Sequence, residues 1–180
     1  HVARARLALD TLGDKGTPLK VLATQIKIRP SEGNAISCIL AAEKVAPLKN
    51  IEDVKQITVE VPKYAKDAVG TGDHAWHPRS KEDAEYSAPY LVAATLLDGT
   101  VTPRSYNQAH LSNRELRALM QKMEVVENKE FTQAYERLPQ EHLTRVTVVT
   151  ASGERLVGEA GGDQDDMSTP KTDAQIEAKF

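Results

Sequence analysis

The sequence has few of the residues that build disulfide-rich, zinc-stapled or membrane-spanning proteins. Cys38 is its single cysteine, which excludes a disulfide framework and a cysteine-rich zinc module. The longest apolar run, residues 90–97, is far too short to span a bilayer, so no membrane partner is expected. The 23 lysine and arginine residues are outnumbered by 26 aspartate and glutamate residues. The resulting net charge of -3 argues against a broad basic surface, so no nucleic-acid partner is expected.

Aromatic residues make up only 4% of the chain, so the core must be built from valine, leucine, isoleucine and alanine. Hydrophobic residues at 40% and charged residues at 27% are typical of a soluble globular protein rather than a disordered one. A chain of 180 residues is long enough for one domain with a substantial core. We expect a single domain over residues 1–180, in which residues 1–20 form an entry helix and linker.

Alternation of apolar and polar residues predicts the strands of this domain. Residues 57–61 alternate and are β-branched, which is typical of a half-buried strand. Residues 145–150 and 154–159 flank the turn 151–153 and predict an antiparallel hairpin beside the first strand. Further strands are predicted over residues 19–28, which mix apolar and polar residues, and over residues 124–127.

Helix signals lie between these strands. Residues 35–46 form a small, apolar segment that stops at Pro47, and residues 89–97 form a second apolar segment closed by Asp98-Gly99. Mixed helices and antiparallel strands predict the α+β class, with an antiparallel sheet and helices packed on one side. Residues 67–83, which are rich in glycine and charge, are expected to form a long surface loop.

Two helix starts are indicated by a serine or threonine that is followed three positions later by a glutamate or glutamine. Ser112 with Glu115 and Thr172 with Gln175 therefore predict capping boxes, each opening a helix. The second of these helices is expected to run to Phe180.

The clearest candidates for metal binding or nucleophilic chemistry have ordinary structural explanations. His74 and His77 lie three residues apart in the expected loop, but a metal site needs a third ligand, and we expect surface histidines and no bound metal. Cys38 lies in a predicted apolar helix without a neighbouring histidine, which favours a buried structural thiol over a nucleophile.

Lys27 is a more informative candidate. It lies between Ile26 and Ile28, directly before Arg29, in a place where a lysine can lose water and have its pKa lowered. Two cations that lie two residues apart can also clamp a carboxylate. The spacing alone favours the alternative, a lysine at a strand end that points to water.

Three segments of the sequence are informative when they are taken together. They are Trp76-His77-Pro78 with 81–99, then Lys27-Ile28-Arg29-Pro30-Ser31-Glu32-Gly33-Asn34-Ala35, and the tail from the 151–153 turn through 161–170 to Lys179-Phe180. Together they resemble the MmgE/PrpD family of 2-methylcitrate dehydratase, cis-aconitate decarboxylase and iminodisuccinate epimerase. The resemblance covers nearly the whole chain. Tyr86 stands where the family has a histidine, and Lys81 where it has an arginine.

The resemblance implies a lyase with two domains, of which this chain is the C-terminal lid without the large N-terminal helical domain. The reactions are proton transfers beside a carboxylate of a small polycarboxylic acid, without a metal or other cofactor. Lys27 is then the catalytic residue, and Arg29, Ser31, Tyr86 and Lys81 bind substrate. A homodimer in the cytoplasm, or in the mitochondrial matrix of a eukaryote, is expected.

Two functions from different classes follow. The first is the lid of a 2-methylcitrate dehydratase-like lyase, in which Lys27 lies on a concave surface that meets the helical domain. Ile26 and Ile28 then lie on the opposite face of a strand, and Arg29 shares the lysine's face. The second is a diverged, non-catalytic lid that acts as a binding or assembly module.

Overall fold

Four strands form one mixed sheet in the computed structural model, which describes residues 24, 26–162 and 167–177. The strands lie in the spatial order β2-β1-β3-β4. They are β1 (Val54–Val61), β2 (Met123–Glu127), β3 (Thr144–Thr150) and β4 (Arg155–Ala160). The expected entry helix and linker over residues 1–20 lie outside the described residues.

Helices occupy the remaining regular parts of the described chain, which confirms the α+β class. They are α1 (Gly33–Glu43), α2 (Lys63–Val69), α3 (Asp73–Trp76), α4 (Lys81–Glu85), α5 (Ala88–Asp98), a 3-10 helix (Pro103–Tyr106), α6 (Gln108–Leu111), α7 (Arg114–Gln121), α8 (Lys129–Glu136) and α9 (Asp173–Glu177). None of the helices within the described residues is long and apolar enough to cross a membrane.

The predicted hairpin is confirmed, but the sheet is not antiparallel throughout. β3 pairs antiparallel with β4 and with β1, as expected, whereas β2 pairs parallel with β1. A parallel pair needs a long crossover connection. The helices α2 to α7 provide it between β1 and β2. Nothing in the local pattern of the short β2 strand distinguishes the two directions.

One face of the sheet is apolar and lies against the helices. Val59 and Val146 are aligned neighbours on this face, and Gly158 is the next position in the same row. Helix α1 packs across β3 and β4, and α5 packs against α1 and β2. The opposite face carries a charged network, in which Arg145 binds Glu60 at 3.2 Å and Glu159 at 2.5 Å.

The two central helices are fixed by their caps and by burial. Glu32 caps α1, since its carboxylate accepts a hydrogen bond from the Asn34 amide at 2.7 Å. Ser87 caps α5 by accepting from the Tyr90 amide at 3.0 Å, and Gly99 ends that helix at a positive φ of 91°. Both helices are buried along nearly their whole length, so packing rather than amphipathic patterning stabilises them.

Several sequence-based expectations are corrected in detail. The expected loop over residues 67–83 contains the end of α2, the whole of α3 and the beginning of α4. Its turns are tied locally, because the Trp76 indole donates to the Gly70 carbonyl at 3.1 Å. Asn113, not Ser112, caps α7, because its side chain accepts from two amides of the first turn.

The other predicted capping box is present in the last described helix. The Thr172 amide donates to Gln175 Oε1 at 2.9 Å, and the Gln175 amide donates to Thr172 Oγ1 at 3.3 Å. The expected extension of this helix to Phe180 lies outside the described residues.

Cys38 is expected to be chemically inert in the folded domain and to weaken the fold at high pH. Burial raises the pKa of its thiol from 9.0 to about 12. As the pH rises, the thiol of the unfolded chain therefore loses its proton before the thiol of the folded chain does. The contribution of the buried, protonated thiol to stability is complete below pH 9.0 and is lost as the pH rises towards 12. The free energy of unfolding should fall by up to about 1.4 kcal/mol per pH unit in that window.

Urea titrations at pH 8, 9.5 and 10.5 measure this dependence, and Cys38→Ala is the control that lacks the thiol. A smaller alkaline loss is expected in the variant, with a remainder from Tyr90, whose pKa burial raises to about 12. A thiol reagent at pH 8 should label Cys38 only after denaturation. Equal alkaline slopes in the two proteins, or rapid labelling of the native one, would contradict the prediction.

Candidate functional site

Lys27 lies in a turn ahead of α1 rather than at the end of a strand. The Ser31 amide donates to the Arg29 carbonyl at 3.0 Å, which closes the turn, and Lys27 Nζ donates to the Ser31 carbonyl at 3.0 Å. The expected strand is therefore wrong for residues 26–28, and its earlier part, residues 19–23, lies outside the described residues. Lys27 is exposed, and its amine is held over the start of α1.

Arg29 is bound by a carboxylate of this same chain. Its Nε and Nη2 donate to the two oxygens of Glu43 at 2.7 and 2.8 Å, a bidentate ion pair. Thr100 Oγ1 donates to the same carboxylate at 2.5 Å. The expectation that Arg29 presents a second free cation on the lysine's face is not met, because Glu43, fourteen residues on, takes its guanidinium.

Ser31 and Pro30 connect the turn to the rest of the domain. Ser31 is buried, and its hydroxyl donates to the Glu32 carbonyl at 3.2 Å. The Tyr106 hydroxyl donates to the Pro30 carbonyl, and burial, followed by the charge of Glu85, raises the pKa of Tyr106. The turn is thus anchored through backbone atoms, and the Ser31 side chain faces the interior.

Lys81 is the first residue of α4, and Tyr86 directly follows this helix. The end of α4 is joined to the turn that carries Lys27. The Glu32 amide donates to the Glu85 carbonyl at 3.0 Å. Tyr86 follows directly and is 51% exposed, and Lys81 lies 3.5 Å from the Glu85 carboxylate. Two segments that carried the resemblance, separated by about fifty residues in sequence, therefore meet beside the N-terminus of α1.

An aromatic cluster near Glu32 could not be found from the sequence. Tyr64 and Tyr135 stack with ring centroids 5.5 Å apart, and His142 meets Tyr135 edge-on at 5.4 Å. Partial burial, then Tyr64 and the charge of Glu32, raise the pKa of Tyr135. These residues come from α2, α8 and the segment before β3, so no spacing along the chain signals the cluster.

Two cavities flank the turn. One has a volume of about 570 Å³ and is lined by Lys27, Ile28 and Lys171 among others. The second has a volume of about 990 Å³ and is lined by Ile28, Arg29, Glu43 and Lys171 among others. Lys27 and Arg29 therefore line different cavities on either side of Ile28.

The two histidines that are three residues apart do not converge on a common centre. His77 Nδ1 lies 3.0 Å from Asp73, and Arg79 approaches the same carboxylate at 3.7 Å. His74 is exposed. Within the described ranges no group of three histidine, cysteine, aspartate or glutamate side chains is arranged to hold a metal ion.

Chemically, the site offers an exposed ammonium group, a tyrosine hydroxyl and a second lysine at the edge of a rigid helix start. A cation and hydroxyl donors of this kind stabilise carboxylates and the enolate-like charge that develops when a neighbouring carbon loses a proton. The buried Ser31 and the hydrogen bond from the Tyr106 hydroxyl to the Pro30 carbonyl anchor the turn that carries Lys27.

Comparison with known proteins gives one clear relationship. No curated protein matches the chain. The profile of the MmgE/PrpD C-terminal domain matches residues 30–180, which include Ser31, Lys81 and Tyr86, while Lys27 and Arg29 lie just ahead of the matched range. The match covers most of the sequence, and the chain therefore belongs to the MmgE/PrpD family through its C-terminal domain.

Proposed function

We propose that this domain forms the lid side of a lyase active site that moves a proton beside a carboxylate of a small di- or tricarboxylic acid. An N-terminal helical domain of the same protein supplies the other side, and the protein works as a homodimer without a metal or other cofactor. Membership of the MmgE/PrpD family supports this proposal. The substrate class and reaction follow from the resemblance to 2-methylcitrate dehydratase.

The observation that carries the proposal is the junction between the Lys27 turn and α4. The 3.0 Å hydrogen bond from the Glu32 amide to the Glu85 carbonyl joins the segment that carries Lys27 to the segment that carries Tyr86, and both side chains are exposed. In the proposal, the helical domain docks at this junction and shares a substrate with the lid.

Each candidate residue has a distinct role in the proposal. Lys27 acts as the proton donor or as the cation that stabilises the enolate-like charge, and Tyr86 and Lys81 bind the remaining carboxylates. Ser31 acts through its carbonyl, which accepts from Lys27 at 3.0 Å. Arg29 would have to break its ion pair with Glu43 to bind a substrate carboxylate. We therefore propose that Arg29 is a positioning residue, which holds the turn in place.

The reaction balances without an added oxidant or reductant. A base removes a proton from the carbon next to a carboxylate, the electron pair forms a carbon–carbon double bond, and the hydroxyl group leaves as water after it takes up a proton. In this proposal, Lys27 stabilises the intermediate charge or protonates the leaving hydroxyl group.

Turnover by the full-length protein tests the proposal. Purified protein is incubated with 2-methylcitrate, citrate and cis-aconitate, and formation or loss of the double bond is followed by ultraviolet absorbance and by mass spectrometry. We expect dehydration of at least one hydroxy-tricarboxylate. No reaction with any acid, from a protein shown to be folded by circular dichroism, would instead favour a binding or assembly role for the lid.

A further inference from the structure

Strand β4 forms one edge of the sheet, because β3 is its single neighbour among the described strands. In an antiparallel pair, successive residues direct their backbone groups alternately towards the neighbouring strand and away from it. The Thr150 amide donates to the Glu154 carbonyl at 3.0 Å, so every second residue after Glu154 bonds to β3. The amides and carbonyls of Arg155, Val157 and Glu159 therefore face outward, and none of the described residues binds them.

This outer edge of β4 lacks several features that keep strand edges from pairing with other chains. Its register with β3 runs without a bulge, and the strand contains no proline and no lysine. Val157 lies at the middle of the edge and is 48% exposed. A regular, exposed edge with an apolar centre is a template for a further strand.

The two charged side chains of β4 have opposite signs and lie symmetrically about Val157. Arg155, Val157 and Glu159 alternate with the buried Gly158, so they share the face of the sheet opposite α1 and are exposed there. If a second copy of the strand pairs antiparallel about Val157, Arg155 of each copy lies opposite Glu159 of the other. Opposite charges in such cross-strand pairs are stabilising.

The other edge strand, β2, does not have this self-complementarity. An antiparallel pair of two β2 strands about Val125 would place Met123 opposite Glu127 and Glu124 opposite Val126. No opposite charges would meet in that arrangement. The charge pattern therefore favours β4 as the edge that pairs with a second copy.

The charges around Glu159 also favour a further cation. Arg145 lies 3.2 Å from Glu60 and 2.5 Å from Glu159, so one guanidinium is shared by two carboxylates. The Glu159 side chain is 59% exposed and accessible from the edge. Among the described residues, Arg155 has no ion-pair partner in its own chain. An arginine of a second copy would balance the remaining negative charge.

We propose that two copies of this protein pair through their β4 edges, antiparallel about Val157, and join their sheets into one continuous sheet. The interface has two-fold symmetry, as most homodimers do. Backbone hydrogen bonds of Arg155, Val157 and Glu159 hold the strands together, and the symmetric Arg155–Glu159 pairs set the register. This inference rests on the proposed function for the homodimer, to which it assigns an interface, and it does not depend on the lyase reaction.

Charge reversal in the full-length protein is the first test, with the dimer Kd measured by sedimentation velocity. Arg155→Glu places like charges opposite each other in both symmetric pairs, and it should raise the dimer Kd by about tenfold or more. Glu159→Arg should have the same effect. In an equimolar mixture of the two variants both pairs again have opposite charges, so native mass spectrometry should show heterodimers. Arg114→Glu is the matched control, since it makes the same exchange at the exposed first residue of α7 and should leave the Kd unchanged.

A proline at position 157 is the second test, because it is independent of charge. The outward amide of Val157 is not needed by the β3–β4 ladder, and proline is tolerated at such edge positions. Val157→Pro removes one hydrogen-bond donor from each copy and should raise the dimer Kd by about tenfold or more, with an unchanged circular dichroism spectrum. This variant also decides the matter if Glu159→Arg, which places a second guanidinium beside Arg145, does not fold.

A wild-type protein that stays monomeric would overturn the inference. So would a dimer whose Kd is no more affected by Arg155→Glu and Val157→Pro than by Arg114→Glu. Folded charge variants that form no heterodimers when mixed would show that the register is wrong. Loss of the dimer in Val157→Pro, without turnover of any polycarboxylate by the wild type, would overturn the lyase reaction and leave the β4 interface standing.

Discussion

Replacing Lys27 with alanine in the full-length protein is expected to lower kcat by two orders of magnitude or more with little change in stability. A positioned acid, base or charge-stabilising group contributes about 10²- to 10⁴-fold to such reactions. The folded domain loses little, because the Lys27 side chain is exposed and exposed substitutions usually change stability by less than about 0.5 kcal/mol. Steady-state kinetics on the best polycarboxylate substrate, with thermal unfolding of the same samples, measure both effects.

Two further variants separate catalysis from general charge effects. Lys55→Ala removes an exposed lysine from β1, outside both cavities, and should leave kcat within a factor of two. Lys27→Arg keeps the positive charge but has a pKa too high for proton donation. Partial activity in Lys27→Arg indicates charge stabilisation, and loss equal to that of alanine indicates proton donation. Wild-type turnover by Lys27→Ala would exclude both roles.

Replacing Gly158 with alanine is expected to destabilise the domain by about 3 kcal/mol, because a side chain there collides with a helix backbone. A Cβ atom at this position would lie 2.1 Å from the Ala41 carbonyl oxygen and 3.0 Å from Lys44 Cβ. Neither the strand nor α1 can move freely, since Gly158 is paired with Val146 in the sheet and Ala41 is fully buried. The whole of α1 would have to shift away from β4.

Gly153→Ala in the turn of the same hairpin is the matched control. Gly153 has a positive φ of 87°, and its missing Cβ has no neighbour within 4 Å. Only the strain of a left-handed backbone is expected there, about 1 to 2 kcal/mol. Chemical denaturation of the two variants and the wild type measures the difference. If Gly158→Ala costs no more than Gly153→Ala, the close approach of α1 to β4 is wrong.

Local chemistry accounts for the parts of the fold that were predictable. The 144–150 and 155–160 hairpin follows from alternation around a short glycine turn, and α5 follows from Pro89 near its start and Gly99 just past its end. The α+β class and the antiparallel β1–β3 pair followed from the same signals. The resemblance carried by segments 27–35, 76–99 and the tail was sufficient to identify the family, which the profile match over 30–180 confirms.

The details that the sequence missed depend on residues far apart in the chain. Asn113 and Ser112 are both good caps, and only the direction in which the chain enters α7 selects Asn113. The direction of β2 depends on the path of the helices that precede it, and a five-residue strand carries no signal for that path. Residues 67–83 contain short helices, of which α3 and α4 pack against α5, and this packing depends on residues outside the segment.

The candidate site shows the same division between sequence and tertiary structure. The sequence by itself determined that two cations, Lys27 and Arg29, lie two residues apart shortly before a buried helix. Only the folded chain decided that Glu43 pairs with Arg29, that Lys27 and Lys171 line another cavity, and that the segment before Tyr86 is hydrogen-bonded to the start of α1. The sequence shows two nearby cations without showing what surrounds each of them. Tertiary packing brings the Glu43 carboxylate to the Arg29 guanidinium and leaves Lys27 beside a mostly apolar cavity.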